Sequence, residues 1–173
     1  QCSTRNNISN YNAVIQSQLL YALETIEIPV AFLSRLESFQ LKGLRKILGM
    51  TTTYINRANT NEEVFRRANL HIAANHHGTK IEPIQDILAH RRIVLAAKIL
   101  RQDKDSPMRM VNFKKDTAVP VEILFRRVGR PRKQWTQNTL TMIWRKIRND
   151  QSDFNNSNAQ LAQILQAAIN KEI

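Results

Sequence analysis

Cysteine, glycine and proline are scarce in this chain of 173 residues, which contains one, four and five of them, respectively. A single cysteine, Cys2, excludes an intrachain disulfide and a zinc site built from cysteine pairs. The four glycines stand far apart in the sequence, so no glycine-rich phosphate loop is present. So few turn-forming residues favour a helical fold.

Acidic residues are also few, and no aspartate precedes Asp86. Few aspartates are therefore available to form a pair of carboxylates that could hold catalytic metal ions. Asp103 and Asp105, the one close pair of aspartates, are typical of a solvated turn. Another candidate set of metal ligands is His71, His76 and His77 with Cys2. Their spacing matches no zinc template, and we expect no enzyme activity, no cofactor and no metal.

Basic residues are abundant: 26 Lys and Arg stand against 14 Asp and Glu, a net charge of +12. Residues 103–149 hold twelve of the basic and four of the acidic residues, a local net charge of +8. Such an excess is usually offset by a polyanionic partner. No apolar run approaches the roughly 18 residues of a membrane-spanning helix, and we expect no membrane partner.

Apolar residues recur at helical spacing over most of the chain. This pattern predicts helices at 11–24, 30–48, 60–70, 81–102, 135–147 and 159–169. Gly49 is expected to end the second helix, and Thr60 with Glu63 to form a capping box at the start of the third. Alternation at 119–125 predicts either one short strand or an extended arm.

The predicted fold is mostly α, about six helices in a small bundle with an extended basic arm. We divide it into a helical domain at 1–102, a basic arm with a tryptophan-containing helix at 103–149, and a polar linker with a C-terminal amphipathic helix at 150–173.

The strongest functional signal is a basic strip at residues 126–133, in which five of eight residues are cationic: Arg126, Arg127, Arg130, Arg132 and Lys133. Gly129 and Pro131 prevent a simple helix, and an extended strip of this kind can follow a phosphate backbone. Trp135 either stacks on a base or packs in the core. The residues expected to extend the patch are Arg91, Arg92, Arg101, Lys114 and Lys115.

Gly129-Arg130-Pro131 also partly matches the minor-groove arm of an AT-hook. A DNA-binding adaptor is therefore a further alternative, for which preference for A·T-rich duplex would be the sign.

Five sequence blocks occur in order at 19–25, 36–40 with 44–49, 60–68, 91–93 with 99–101, and 129–135. Together they resemble the region after the catalytic core of non-LTR (LINE-type) retrotransposon reverse transcriptases, over residues 19 to about 147. The resemblance implies a helical thumb and connector, which in that family grip the template–primer duplex. It does not imply polymerase activity, since the palm with its Tyr-x-Asp-Asp motif does not occur in these residues. Where the family commonly has Trp and Gly-His, this chain has Leu95, Ala97 and Lys98.

Two functions fit a thumb without a palm. The first, which the charge of +12 favours, is a domesticated, non-enzymatic RNA-binding component of a large ribonucleoprotein, such as a ribosomal protein that contacts rRNA and neighbouring proteins. The second is the template–primer-binding thumb fragment of an active reverse transcriptase. Because organellar ribosomes recruit proteins around reduced rRNA, mitochondria are the expected compartment, with nucleus or cytoplasm as alternatives.

Overall fold

The computed structural model describes residues 7–8, 10–73, 80–121, 135–149 and 153–171. The fold is mostly helical, as predicted. It opens with a π-helical turn, Tyr11–Gln16, continued by a short α-helix, Ser17–Leu19, and by a 3₁₀ turn, Leu23–Thr25. The longer helices are α1 (Val30–Leu48), α2 (Asn61–Ala73), α3 (Ile84–Arg101), α4 (Pro107–Asn112), α5 (Trp135–Arg148) and α6 (Asn158–Ile169). None of these described helices is long and apolar enough to cross a membrane.

Helix α1 ends at Gly49, as the sequence predicts. Gly49 has a φ of 65°, in the left-handed region that glycine adopts without a Cβ clash. Its N–H donates to the Lys46 carbonyl, and the Met50 N–H donates to the Arg45 carbonyl at 2.9 Å. This pair of hydrogen bonds is a Schellman motif, which satisfies carbonyls that the helix leaves unpaired.

Helix α2 begins as predicted, but only half of its expected capping box forms. The Glu63 N–H donates to Thr60 Oγ1 at 3.2 Å, so Thr60 caps the helix. The Glu63 carboxylate accepts from Arg66 and Arg67 at 2.7 Å. The predicted return contact from Glu63 to Thr60 is therefore wrong, because two guanidinium groups at helical spacing take up the carboxylate.

The chain divides into two compact units. Unit 1 comprises Gln1–Leu23 and Ile28–Leu88, and unit 2 comprises Glu24–Glu27 and Ala89–Ile173. This division differs from the sequence-based one, which kept residues 1–102 together. The reason lies within α3: Ile84 and Leu88 pack with unit 1 residues, whereas residues 93–100 pack against α5 and α6 in unit 2.

The described part of unit 1 contains two apolar clusters. The first is formed by Ile8, Tyr11, Leu44, Val64, Ala68 and Ile81. The second is formed by Leu20, Ile28, Leu36, Ile84 and Leu88. The buried amide of Gln40 is satisfied on both sides, since its Nε2 donates to the Glu82 carbonyl at 2.8 Å and its Oε1 accepts from the Ile84 N–H at 3.2 Å.

The described residues of unit 2 form one core, in which α3, α5 and α6 meet. Its large members are Ile93, Ile99, Leu100, Phe113, Leu140, Ile143, Trp144, Leu161 and Ile164. Trp144 is buried, as its helical spacing predicts. Ser157 caps α6, because its side chain accepts from the Gln160 N–H.

Three features differ from the predicted elements. The helix expected at 11–24 is a π turn with a three-residue α extension. Helix α4 was not predicted. The described residues contain no strand: residues 119–121 contribute only an isolated bridge between Phe113 and Pro120, and residues 122–125 lie outside the described part.

Candidate nucleic-acid interface

The basic strip at 126–133 lies outside the described residues, so its five cations have no described position. Trp135, which follows it, begins α5 and is half-buried against the unit 2 core. Its indole Nε1–H donates to the Glu24 carbonyl. Of the two roles considered for Trp135, this geometry favours core packing, because the ring and its one polar atom are both engaged.

Arg92 and Arg91 lie in the middle of α3. Arg92 is only 8% exposed, and its Nη2 donates to the Ile26 carbonyl at 2.6 Å. Its Nη1 lies 3.9 Å from the Glu27 carboxylate. Arg92 therefore makes its contacts in the interior of unit 2, and it does not extend the basic surface as the sequence predicts. Arg91 is half-buried.

Arg101 is exposed at the end of α3. Its Nη1 donates to the Ala168 carbonyl at 3.2 Å, in the last turn of α6. This contact places a positive charge at the negative end of the α6 dipole. This hydrogen bond uses one of the five guanidinium N–H groups that an arginine carries.

Lys114 and Lys115 are exposed in the turn after α4. Lys115 Nζ pairs with Asp105 at 3.2 Å, and Lys104 Nζ pairs with Asp116 at 2.6 Å. The hydrogen bond from Lys104 lowers the pKa of Asp116, with smaller contributions from Lys104, Lys115 and Arg109 as charges. The structure thus brings Lys104 and Lys115 together, but with carboxylates that neutralise part of their charge.

Three basic residues at the end of α5 were not singled out from the sequence: Arg145, Lys146 and Arg148. All three are exposed. Arg148 lies over the Trp144 ring, with its Cζ 5.2 Å from the ring centroid, a cation–π contact. The helix dipole by itself favours cations in this last turn, so it explains their position without a bound ligand. The signal that could have found them is their place in the +8 segment.

A second group missed by sequence reasoning is the set of α1 cations, Lys42, Arg45 and Lys46. They line an open cleft of about 520 Å³ within unit 1. Their i, i+3, i+4 spacing, which puts them on one face of the helix, is the signal that could have revealed them.

Potential metal ligands do not gather in groups of three or more in the described parts of the chain. Cys2, His76 and His77 lie outside those parts. No family model, no curated protein and no solved structure matches the chain.

Proposed function

We propose that this protein is a non-enzymatic, RNA-binding structural component of a large ribonucleoprotein, of the ribosomal kind and derived from a non-LTR reverse transcriptase. The observation that carries this proposal is the charge of residues 103–149. Twelve Lys and Arg stand there against four Asp and Glu. Six of the seven described cations in that segment are exposed: Lys104, Lys114, Lys115, Arg145, Lys146 and Arg148.

Phosphate neutralisation is the proposed mode of binding. Cations that contact phosphates release condensed counterions, so that affinity falls steeply with salt. The five cations of the basic strip would supply most of these contacts, because arginine presents paired N–H donors that match phosphate oxygens. Arg101 and Lys114 would extend the surface.

The salt dependence of RNA binding tests the strip. In the full chain, the five cations of the strip are changed to Ala, and binding to a structured RNA is measured by fluorescence anisotropy at several salt concentrations. We expect the magnitude of the slope of log K against log salt to fall by roughly 4.5, since each of the five lost phosphate contacts removes about 0.9. A matched control removes five exposed cations outside residues 103–149: Arg57, Arg66, Lys80, Lys98 and Lys171. If both variants lose the same slope, the strip is not the site.

The particle that contains the native chain tests the ribonucleoprotein role and its compartment. The chain is isolated at moderate salt from mitochondrial, nuclear and cytoplasmic fractions, and its crosslinked RNA is sequenced. Discrete rRNA sites in a mitochondrial particle of ribosomal size are expected. Retroelement transcripts together with a linked palm domain would instead identify the thumb of an active reverse transcriptase.

A further inference from the structure

The α1 cations, Lys42, Arg45 and Lys46, are close together and uncompensated. Among the described residues, no carboxylate forms an ion pair with any of them. On α2, by contrast, one carboxylate pairs with both nearby arginines. Like charges at i, i+3 and i+4 repel each other and destabilise a helix. An anion bound to this face would remove that repulsion.

Arg45 is held in place at the wall of the cleft. Its Nη2 donates to Asn61 Oδ1 at 2.8 Å and to the Asn59 carbonyl at 3.3 Å. Asn59 is itself fixed, because its amide donates to the Thr51 carbonyl at 3.0 Å. The buried Nε of Arg45 has no hydrogen-bond partner among the described residues. The guanidinium is therefore positioned in advance, which lowers the entropy lost when an anion binds.

The chemistry of the cleft suits a phosphate group. Its lining comprises Ser38, Leu41, Lys42, Arg45, Lys46, Met50, Thr52, Thr53 and Asn61. Three cations and three hydroxyl groups are thus available, and none of the lining residues is acidic. Charged and hydroxyl donors of this kind are the ones that proteins use to hold phosphate oxygens.

Aromatic rings continue the same face of α1. Phe39 is 52% exposed and Phe32 is 47% exposed, although both are large apolar side chains. Phe39 precedes Lys42 by three residues and Lys46 by seven, so the ring and the two amines share a face of the helix. Exposed rings beside a positively charged groove are the combination that binds single-stranded nucleic acid, by stacking on bases and pairing with phosphates.

We propose that this face of α1 is a second RNA site, in which the α1 cations hold backbone phosphates of a single strand and Phe39 stacks on an adjacent base. This inference rests on the proposed function, since it assumes that RNA is the partner. Charge complementarity favours RNA over a protein: a protein partner would have to bring several carboxylates to the same cleft, whereas every nucleotide brings a phosphate.

Four variants of the full chain, with the basic strip intact, test the site. They are Lys42→Ala with Lys46→Ala, Phe39→Leu, Phe39→Tyr and, as a charge control, Lys80→Ala. Binding to fluorescent oligouridylate is measured over a range of salt concentrations, and circular dichroism confirms that each variant folds. The double lysine variant should reduce the salt slope by about 1.4, since each phosphate contact with a single strand contributes about 0.7. Lys80, which pairs with Glu82, should leave the slope almost unchanged.

The Phe39 variants separate stacking from charge. Phe39→Leu should weaken binding at least about fivefold without changing the salt slope, because one base loses its stacking platform. Phe39→Tyr keeps an aromatic ring and should retain the affinity.

The remaining outcomes distinguish a failure of the α1 site from a failure of the proposed function. Suppose that the wild-type chain binds the oligonucleotide, and that the double lysine variant and Phe39→Leu bind it equally well. The α1 site is then overturned, whereas the proposed function stands. A protein partner would then be the alternative occupant of this face. If the wild-type chain binds neither this probe nor structured RNA, the proposed function and the α1 site both fail. Competition by inorganic tripolyphosphate at the same concentration of phosphate groups as the oligonucleotide would overturn the assignment to RNA.

Discussion

At the scale of one residue, Gly49 shows how a backbone angle restricts the residue types that can occupy a position. An added Cβ would meet no atom within 4 Å, so the constraint is the φ of 65° and not space. We predict that Gly49→Ala lowers the free energy of unfolding by about 1 kcal/mol, because the left-handed region is costly for residues with a Cβ. Urea denaturation measures the change. Gly49→Asn, which tolerates this region better, should lose less, and an alanine variant as stable as the wild type would contradict the prediction.

Glu63 shows how two neighbouring cations lower the pKa of one carboxyl group. Hydrogen bonds from Arg66 and then Arg67 lower the pKa of Glu63 from 4.5 to about 2. Because the pKa is lowered in the folded chain, these contacts stabilise the fold at pH values above 4.5. This stabilisation is lost as the pH falls from 4.5 towards 2. NMR titration of the Glu63 carboxyl carbon should therefore find its midpoint well below 4.5. Changing both arginines to Gln should return the midpoint towards 4.5; a normal midpoint in the wild type would show that the contacts do not persist in solution.

At the scale of the element, α4 places one arginine beneath the end of α3. The buried Arg109 Nη1 donates to the carbonyls of Leu100 and Gln102, at 2.8 and 2.9 Å. These oxygens belong to the end of a helix, where intrahelical donors run out. We predict that Arg109→Met lowers the free energy of unfolding by about 2 kcal/mol, because a buried and a part-buried carbonyl lose a charged donor. Lys98→Met on the exposed side of α3 is the control, and urea denaturation should show a change of under about 0.5 kcal/mol for it. Equal losses in the two variants would contradict the role assigned to Arg109.

Long helices with a periodic apolar pattern were predictable from the sequence, whereas the short helical segments were not. The apolar spacing of α1 and the glycine after it determine both its length and its end. Helix α4 has only six residues, too few for a period to emerge, and the one local signal is Pro107 at its first turn. The π turn at Tyr11–Gln16 begins at Tyr11, which packs in the first cluster of unit 1, and no local sequence pattern distinguishes such a turn from an α-helix.

The candidate site was predictable in its charge but not in its geometry. Net charge identifies the segment 103–149, yet the sequence does not show which cations face inward. Arg92 donates to the Ile26 carbonyl, a contact across 66 residues of chain that no local pattern in the sequence encodes. Lys115 pairs with Asp105 across ten residues of chain, a contact between two exposed side chains that the sequence pattern does not reveal either.

At the scale of the whole molecule, a net charge of +12 should make the fold sensitive to salt. Repulsion among like charges destabilises a compact state, and screening weakens it, since the Debye length shortens as salt is added. We predict that the midpoint of thermal unfolding rises when NaCl is increased from about 20 to about 300 mM. The described ion pairs are mainly exposed and contribute little, so their own screening should not reverse this trend.

A variant with a lower net charge provides the control for this prediction. Arg57→Gln with Lys98→Gln removes two exposed cations that have no described carboxylate partner, and so lowers the net charge from +12 to +10. Its unfolding midpoint should be higher than that of the wild type at low salt, and it should rise less as NaCl is added. Differential scanning calorimetry measures both midpoints. A wild-type midpoint that falls with added salt would mean that attraction between charges, and not repulsion, dominates the folded chain; an RNA partner would then not be needed to offset its charge.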